Sequence, residues 1–199
     1  MLEDARNAFR RWTTYMQYSG GWRIARRYFV IDAFQTTLTV ISLMISSYVF
    51  NVRDPRTLIG FLINVAIATM LAGISIVMLV ETVEKGKELE EIEKALLRDL
   101  NNTIFEKAVM AAIITAVVME LLGILLPIAI PVIAIVAFSG PVLTDSLILS
   151  VIAIELTLLF LVGLFLGTRP LKRMVIIGVI SVLLGIALTL IGLGLNVAL

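Results

Sequence analysis

The chain has 199 residues, 60% of them hydrophobic and 16% charged, with a mean hydropathy of +1.05 and a net charge of +1. A soluble domain is nearer half apolar and about a quarter charged, so no globular core of this size could absorb the excess, and lipid is the second apolar solvent required. The near-neutral charge argues against a nucleic-acid partner. The absence of Cys and His removes disulfide frameworks, thiolate or imidazole metal sites, and every catalytic dyad that needs them.

Residues 1–27 contain no apolar core of the kind found in cleavable signal peptides. Ala8, Phe9, Trp12, Tyr15 and Met16 recur at helical spacing against Arg6, Arg10 and Arg11, which predicts an amphipathic helix on a membrane surface. Gly20 and Gly21 then form a hinge to the first crossing. A simple cationic topogenic tail is the alternative.

Five apolar runs follow: Tyr28–Phe50, Leu58–Val80, Ala108–Leu126, Leu143–Leu166 and Met174–Leu199. Each has about the 17–25 residues that a hydrocarbon core of roughly 30 Å demands of a helix. The first two form residues 28–80, and the last three lie within residues 108–199. The stretch Pro127–Phe138 either extends the third helix past a proline or forms a short re-entrant piece. The expected fold is therefore all-α, an integral membrane protein of five transmembrane helices.

Charge orients it. Five crossings place fourteen Lys and Arg on one side, in residues 1–27, the acidic helical linker 81–107 and the turn holding Arg169, Lys172 and Arg173; only Arg53 and Arg56 lie opposite. The positive-inside rule then puts the N-terminus in the cytoplasm and the C-terminus outside. Without a targeting segment, a prokaryotic inner membrane is the expected location.

Ionisable groups within a bilayer are costly and usually face a partner or a wet path. Asp32 lies near the cytoplasmic end of the first crossing, and Gln35, Thr36, Thr39, Ser46 and Ser47 fall within about 60° of its direction. Asn64, Ser75, Met78 and Thr82 share a face of the second crossing by the same arithmetic. Two such faces suggest a hydrated seam, unless the hydroxyls merely bond their own helices or glue helices together.

Glu120 and Glu155 fall near mid-membrane, roughly 20 Å and 18 Å along their helices from opposite sides. No Lys or Arg lies inside any crossing, so these carboxyls are candidates for proton coupling. A neutral Glu bonding across helices is the alternative. In the linker, Glu81, Glu84, Glu88 and Glu91 line one helical face, flanked by Glu90 and Glu93. Carboxylates suit hard or borderline divalent cations. Judged by charge spacing alone, a solvated face neutralised by Lys85, Lys87 and Lys94 at i,i+3 or i,i+4 is the favoured explanation. Gly163-xxx-Gly167 and the seven-residue repeat Gly178, Gly185 and Gly192 speak to close packing.

In serial order these features resemble the vacuolar iron transporter family. Gly20-Gly21-Trp22-Arg23 is followed by Asp32-Ala33-Phe34-Gln35-Thr36-Thr37, similar to the family's Gly-Gly/Arg stretch and Asp-Gly-Ile-Val-Ser/Thr-Thr motif. Val77-Met78-Leu79-Val80-Glu81-Thr82 keeps the Met and Glu of the second-helix motif but not its glycines or Tyr. Leu126-Pro127-Ile128-Ala129-Ile130-Pro131 matches the proline corner closing the third helix. The linker is too short for the three-helix metal-binding domain of the plant-type proteins.

The resemblance implies a homodimer that moves Fe²⁺ or Mn²⁺ out of the cytoplasm against protons, along a path between the two first helices. It places Asp32 on that path, with Met78 and Glu81 near its cytoplasmic mouth, and it favours metal collection by Glu84, Glu88 and Glu91. The metal would be a transported substrate, and no cofactor is expected. A non-transporting membrane scaffold is the competing reading. An intramembrane enzyme has thin support, since only a lone Glu pair is available to it.

Overall fold

A computed structural model describes residues 2–97, 100, 103–166 and 171–198. Among these, six helices and no strand occur: α1 (Leu2–Tyr18), α2 (Gly21–Val49), α3 (Pro55–Leu96), α4 (Ile104–Phe138), α5 (Asp145–Leu166) and α6 (Leu171–Ala198). Five of them, all but α1, are long and apolar enough to cross a membrane. The protein is an all-helical integral membrane protein. Arg98, Gly167, Arg169 and Leu199, which figured in the expected topology and packing, lie outside the described residues.

Local chemistry sets the helix ends. Gly20 takes a left-handed φ of 63°, and Gly21, which opens α2, is buried: a methyl group there would come within 2.8 Å of the Met16 side chain. Asn51 (φ 54°) ends α2, and the Val52 amide donates to the Ser47 carbonyl at 2.9 Å. Asp54 then caps α3, its carboxylate accepting from the Thr57 amide at 2.9 Å and the Thr57 hydroxyl at 2.5 Å, with Pro55 at the first helical position.

Those Thr57 bonds hold the Asp54 carboxyl below the usual carboxylate range. A depressed value means that the cap stabilises the fold above the ordinary carboxylate pKa and stops doing so as pH falls through the depressed one. Asp54→Ala is therefore expected to lower the thermal midpoint at neutral pH. The gap to the parent protein should close in strong acid, as detergent-solubilised melting curves would record.

By internal contacts the chain divides into two compact units, Met1–Phe29 with Met70–Leu121, and Val30–Thr69 with Leu122–Leu199. In the first, α4 buries Ala108, Ala111, Ala112 and Ala116 along one side, a small-residue face that lets backbones approach without polar glue. Leu97 (φ 49°) ends α3, and the Leu100 amide donates back to Glu93 at 2.9 Å.

In the second unit the buried positions repeat with helical period. They are Ala33, Val40, Ile41, Met44 and Ile45 on α2, Leu58, Leu62 and Ala66 on α3, and Ile148, Val151, Ile152, Leu159 and Val162 on α5. The stretch Pro127–Phe138 continues α4 rather than re-entering: both prolines lie inside the helix and are buried, and a membrane helix tolerates the broken backbone bond where protein rather than lipid surrounds it.

Many large apolar side chains remain exposed, Ile67, Leu71, Ile133 and Leu183 among them, as expected where lipid is the solvent.

The glycines of α6 pack as their spacing suggests. A methyl on Gly178 would lie 2.9 Å from the Phe160 ring and 3.1 Å from its carbonyl oxygen, and one on Gly163 would lie 2.7 Å from the Gly178 Cα. Further along, Gly185 meets Leu156 and Leu159, and Gly192 meets Ile45. Because the Gly178 contact includes backbone, it cannot yield by rotamer change. Gly178→Leu is expected to destabilise the protein by about 1–3 kcal/mol, seen as a lower melting temperature in detergent.

Candidate functional site

The second unit holds two of the predicted carboxyls. Glu155 sits in the middle of the buried stripe of α5, between Ile152 and Leu159, and is fully buried. Neither of its oxygens has a hydrogen-bond partner, and one buried oxygen of Asp32 also lacks one. Placing an ionised carboxylate in such surroundings forfeits hydration worth several kcal/mol unless a proton or a cation compensates.

Asp32 stands one turn before Gln35 on α2, and Gln35, Thr39 and Ser42 continue the same side of that helix. These three line an open groove with Phe34, Leu38, Leu43, Val65 and Leu188.

The polar face expected on the first crossing does not stand together. Thr36 and Ser47 turn into the core, while Gln35 is exposed, because a 60° sector spans both the core edge and the outer face of one helix. Several hydroxyls are already occupied: Thr39 donates to the Gln35 carbonyl (3.0 Å), Ser46 to Ser42 (2.9 Å), Ser47 to Val52 (2.7 Å) and Ser75 to Leu71 (2.8 Å). At those positions the bland alternative, self-bonding within or beside the helix, describes the hydroxyls. Asn64, Ser75, Met78 and Thr82 are all exposed along α3.

The first unit holds the other carboxyls. Glu81 is almost fully buried and accepts at one oxygen from both the Arg27 guanidinium (3.2 Å) and the Tyr28 hydroxyl (2.9 Å). The Arg27 guanidinium also sits 5.2 Å from the Tyr28 ring centre. Nothing in the linker spacing betrays this pairing, since the partners lie 53 and 54 residues away.

Glu84, Glu88 and Glu91 are exposed. Glu88 pairs with the buried Lys85 at 2.5 Å, and Glu90 pairs with Lys94 at 2.7 Å, which holds the Glu90 carboxyl below its ordinary value. The i,i+3 and i,i+4 neutralisation that the sequence allowed is thus present at two sites. Among the described residues no three carboxylates gather into a set able to hold a metal ion.

Glu120 is buried on α4, and Gly73 of α3 makes room for it: a methyl group at Gly73 would overlap the Glu120 carboxyl. Sequence inspection finds Glu120 by its burial inside an apolar run. Gly73 carries no comparable signal, because a lone glycine in a membrane helix has many explanations.

Opposite chemistry holds the α2–α3 turn. Arg53 pairs with Asp145 at 2.5 Å, sits 5.5 Å from the Tyr48 ring centre, and accepts the Leu143 amide at its carbonyl at 2.8 Å. One of the two basic residues on the arginine-poor side is therefore structural, fastening the turn to the start of α5. No family model, curated protein or solved structure matches the chain.

Proposed function

We propose that this protein carries a divalent metal cation, Mn²⁺ or Fe²⁺, out of the cytoplasm in exchange for protons. The observation that carries the reading is Glu155, a fully buried carboxyl with neither oxygen bonded, placed in the core stripe of a membrane helix. Such a group is expensive and is retained where a charge visits it. Asp32, with its own unbonded oxygen, supplies the metal-facing carboxylate; Gln35 and Thr39 offer neutral oxygens along the adjoining groove.

Asp32 with one or two amide or hydroxyl oxygens gives an incomplete shell for a hard cation, which takes six or more oxygens. The open groove beside α2 suits completion by the same helix of a second copy, so the carrier is a homodimer. Its N-terminus is cytoplasmic by the distribution of Lys and Arg, and a prokaryotic inner membrane is its setting. Glu81 with Met78, and the exposed Glu84, Glu88 and Glu91, form the cytoplasmic approach. Glu120, buried in the first unit, is a second candidate proton acceptor in addition to Glu155. No cofactor is involved.

A specific observation favours a second reading, a non-transporting membrane scaffold of the same fold. The acidic face of α3 is partly neutralised by Lys85 and Lys94, and no ligand set of three carboxylates forms among the described residues.

Proteoliposomes separate the two. A carrier moves Mn²⁺ or Fe²⁺ down an imposed gradient and drives protons the other way, reported by a trapped pH dye. A scaffold gives vesicles as tight as protein-free controls, and that result removes the transport reading.

A further inference from the structure

We propose that the groove between α1 and the start of α4 is a binding site for the phosphate head group of an anionic phospholipid. Asn7, Arg10, Arg11, Thr14 and Tyr18 repeat at intervals of three and four along α1, so they form one stripe, and the groove is closed by Ile104 at the start of α4. The stripe is distinct from the side of α1 that packs inward through the buried Met16 against Gly21.

Two adjacent guanidiniums therefore face the same depression. Each presents several N–H donors in a planar fork that matches phosphate oxygens. Among the described side chains no carboxylate lines the groove, and neither Arg10 nor Arg11 forms an ion pair. The Thr14 hydroxyl is turned back onto the Arg10 carbonyl (3.0 Å), which leaves the arginines, Asn7 and the Tyr15 and Tyr18 hydroxyls as the available donors.

The apolar surroundings select a lipid over a soluble phosphate. Tyr18 is 69% exposed and Ile104 58% exposed within the groove, and Phe9 on the same helix is 71% exposed. A soluble anion leaves those surfaces in water. A phospholipid covers them with its glycerol backbone and upper acyl chains while its phosphate meets the arginines. This is chemistry of α1 itself and does not depend on what the crossings transport.

The test uses the full-length protein, delipidated in detergent and titrated with phosphatidylglycerol or phosphatidylcholine, with retained lipid counted by native mass spectrometry. One phosphatidylglycerol should be retained per chain, at least about tenfold more tightly than phosphatidylcholine. The double substitution Arg10→Gln with Arg11→Gln should weaken it by about tenfold or more. Arg23→Gln with Arg26→Gln removes the same charge from exposed positions outside the groove and should leave retention unchanged.

Equal losses in both double variants would mean diffuse attraction to a basic surface and would overturn the site. So would equal retention of the two lipids. Displacement of phosphatidylglycerol by millimolar inorganic phosphate would overturn the lipid as occupant. Because Arg10 and Arg11 are exposed, unchanged melting curves should accompany their replacement, which separates loss of binding from loss of fold.

Discussion

Asp32→Asn is expected to reduce Mn²⁺ flux in proteoliposomes by about a hundredfold or more while leaving the melting temperature nearly unchanged. The two side chains have almost the same volume, so packing around position 32 is preserved. What disappears is the negative charge that offsets part of the dehydration cost of a divalent ion. Leaving a buried charge without its partner typically costs about 3–5 kcal/mol, and each 1.36 kcal/mol is a factor of ten in rate, so a loss of roughly two decades or more follows. Asp32→Glu keeps the charge but moves it by about one methylene, and should retain measurable flux. Wild-type flux in the Asn variant would take Asp32 off the pathway.

The spans were legible because membrane helices announce themselves through uninterrupted apolar runs, and all five crossings correspond to helices long and apolar enough to span. Their ends were less so. Turn chemistry at Gly20, Asn51 and Asp54 decides where a helix stops, and an apolar run is blind to it. The helical spacing of the acidic residues in the linker matches α3, which runs unbroken from Pro55 to Leu96, but the spacing does not foretell that the helix stops there, at a left-handed Leu97, short of the linker's end at residue 107. Pro127 and Pro131 left the sequence undecided, since a proline ends a helix in water but is tolerated when neighbouring helices shield its unbonded carbonyl.

The candidate site was legible by residue type and not by partner. Asp32, Glu120 and Glu155 stand out as charges in apolar surroundings. Helical spacing also identifies which residues share a side of α3. It cannot reveal that Arg27 and Tyr28 engage Glu81, because that contact depends on how two helices pack. Nor can it separate Thr36 and Ser47, which face the core, from Gln35, which does not; a few tens of degrees of helix rotation decide that, and packing fixes the rotation.

Glu155 offers the sharper test, because its structural and functional roles predict opposite signs. A carboxyl kept for stability should weaken the fold when replaced. A buried carboxyl with neither oxygen bonded contributes no compensating interaction, so exchanging it for an apolar side chain of similar size should be neutral or stabilising by about 1–4 kcal/mol. Glu155→Leu is thus expected to melt at the same or a higher temperature than the parent protein. Glu155→Gln should melt close to the parent, since it keeps the shape and cannot ionise.

Both variants should lose proton counterflow by about a hundredfold, because neither can bind and release a proton on the cycle. Metal binding at Asp32 should persist in both, readable as a Mn²⁺-dependent thermal shift, which distinguishes uncoupling from general inactivation. If either variant instead unfolds more easily while counterflow continues, Glu155 is a piece of architecture. The carboxyl would then have been retained for a contact rather than for a charge, and no proton would need to visit it.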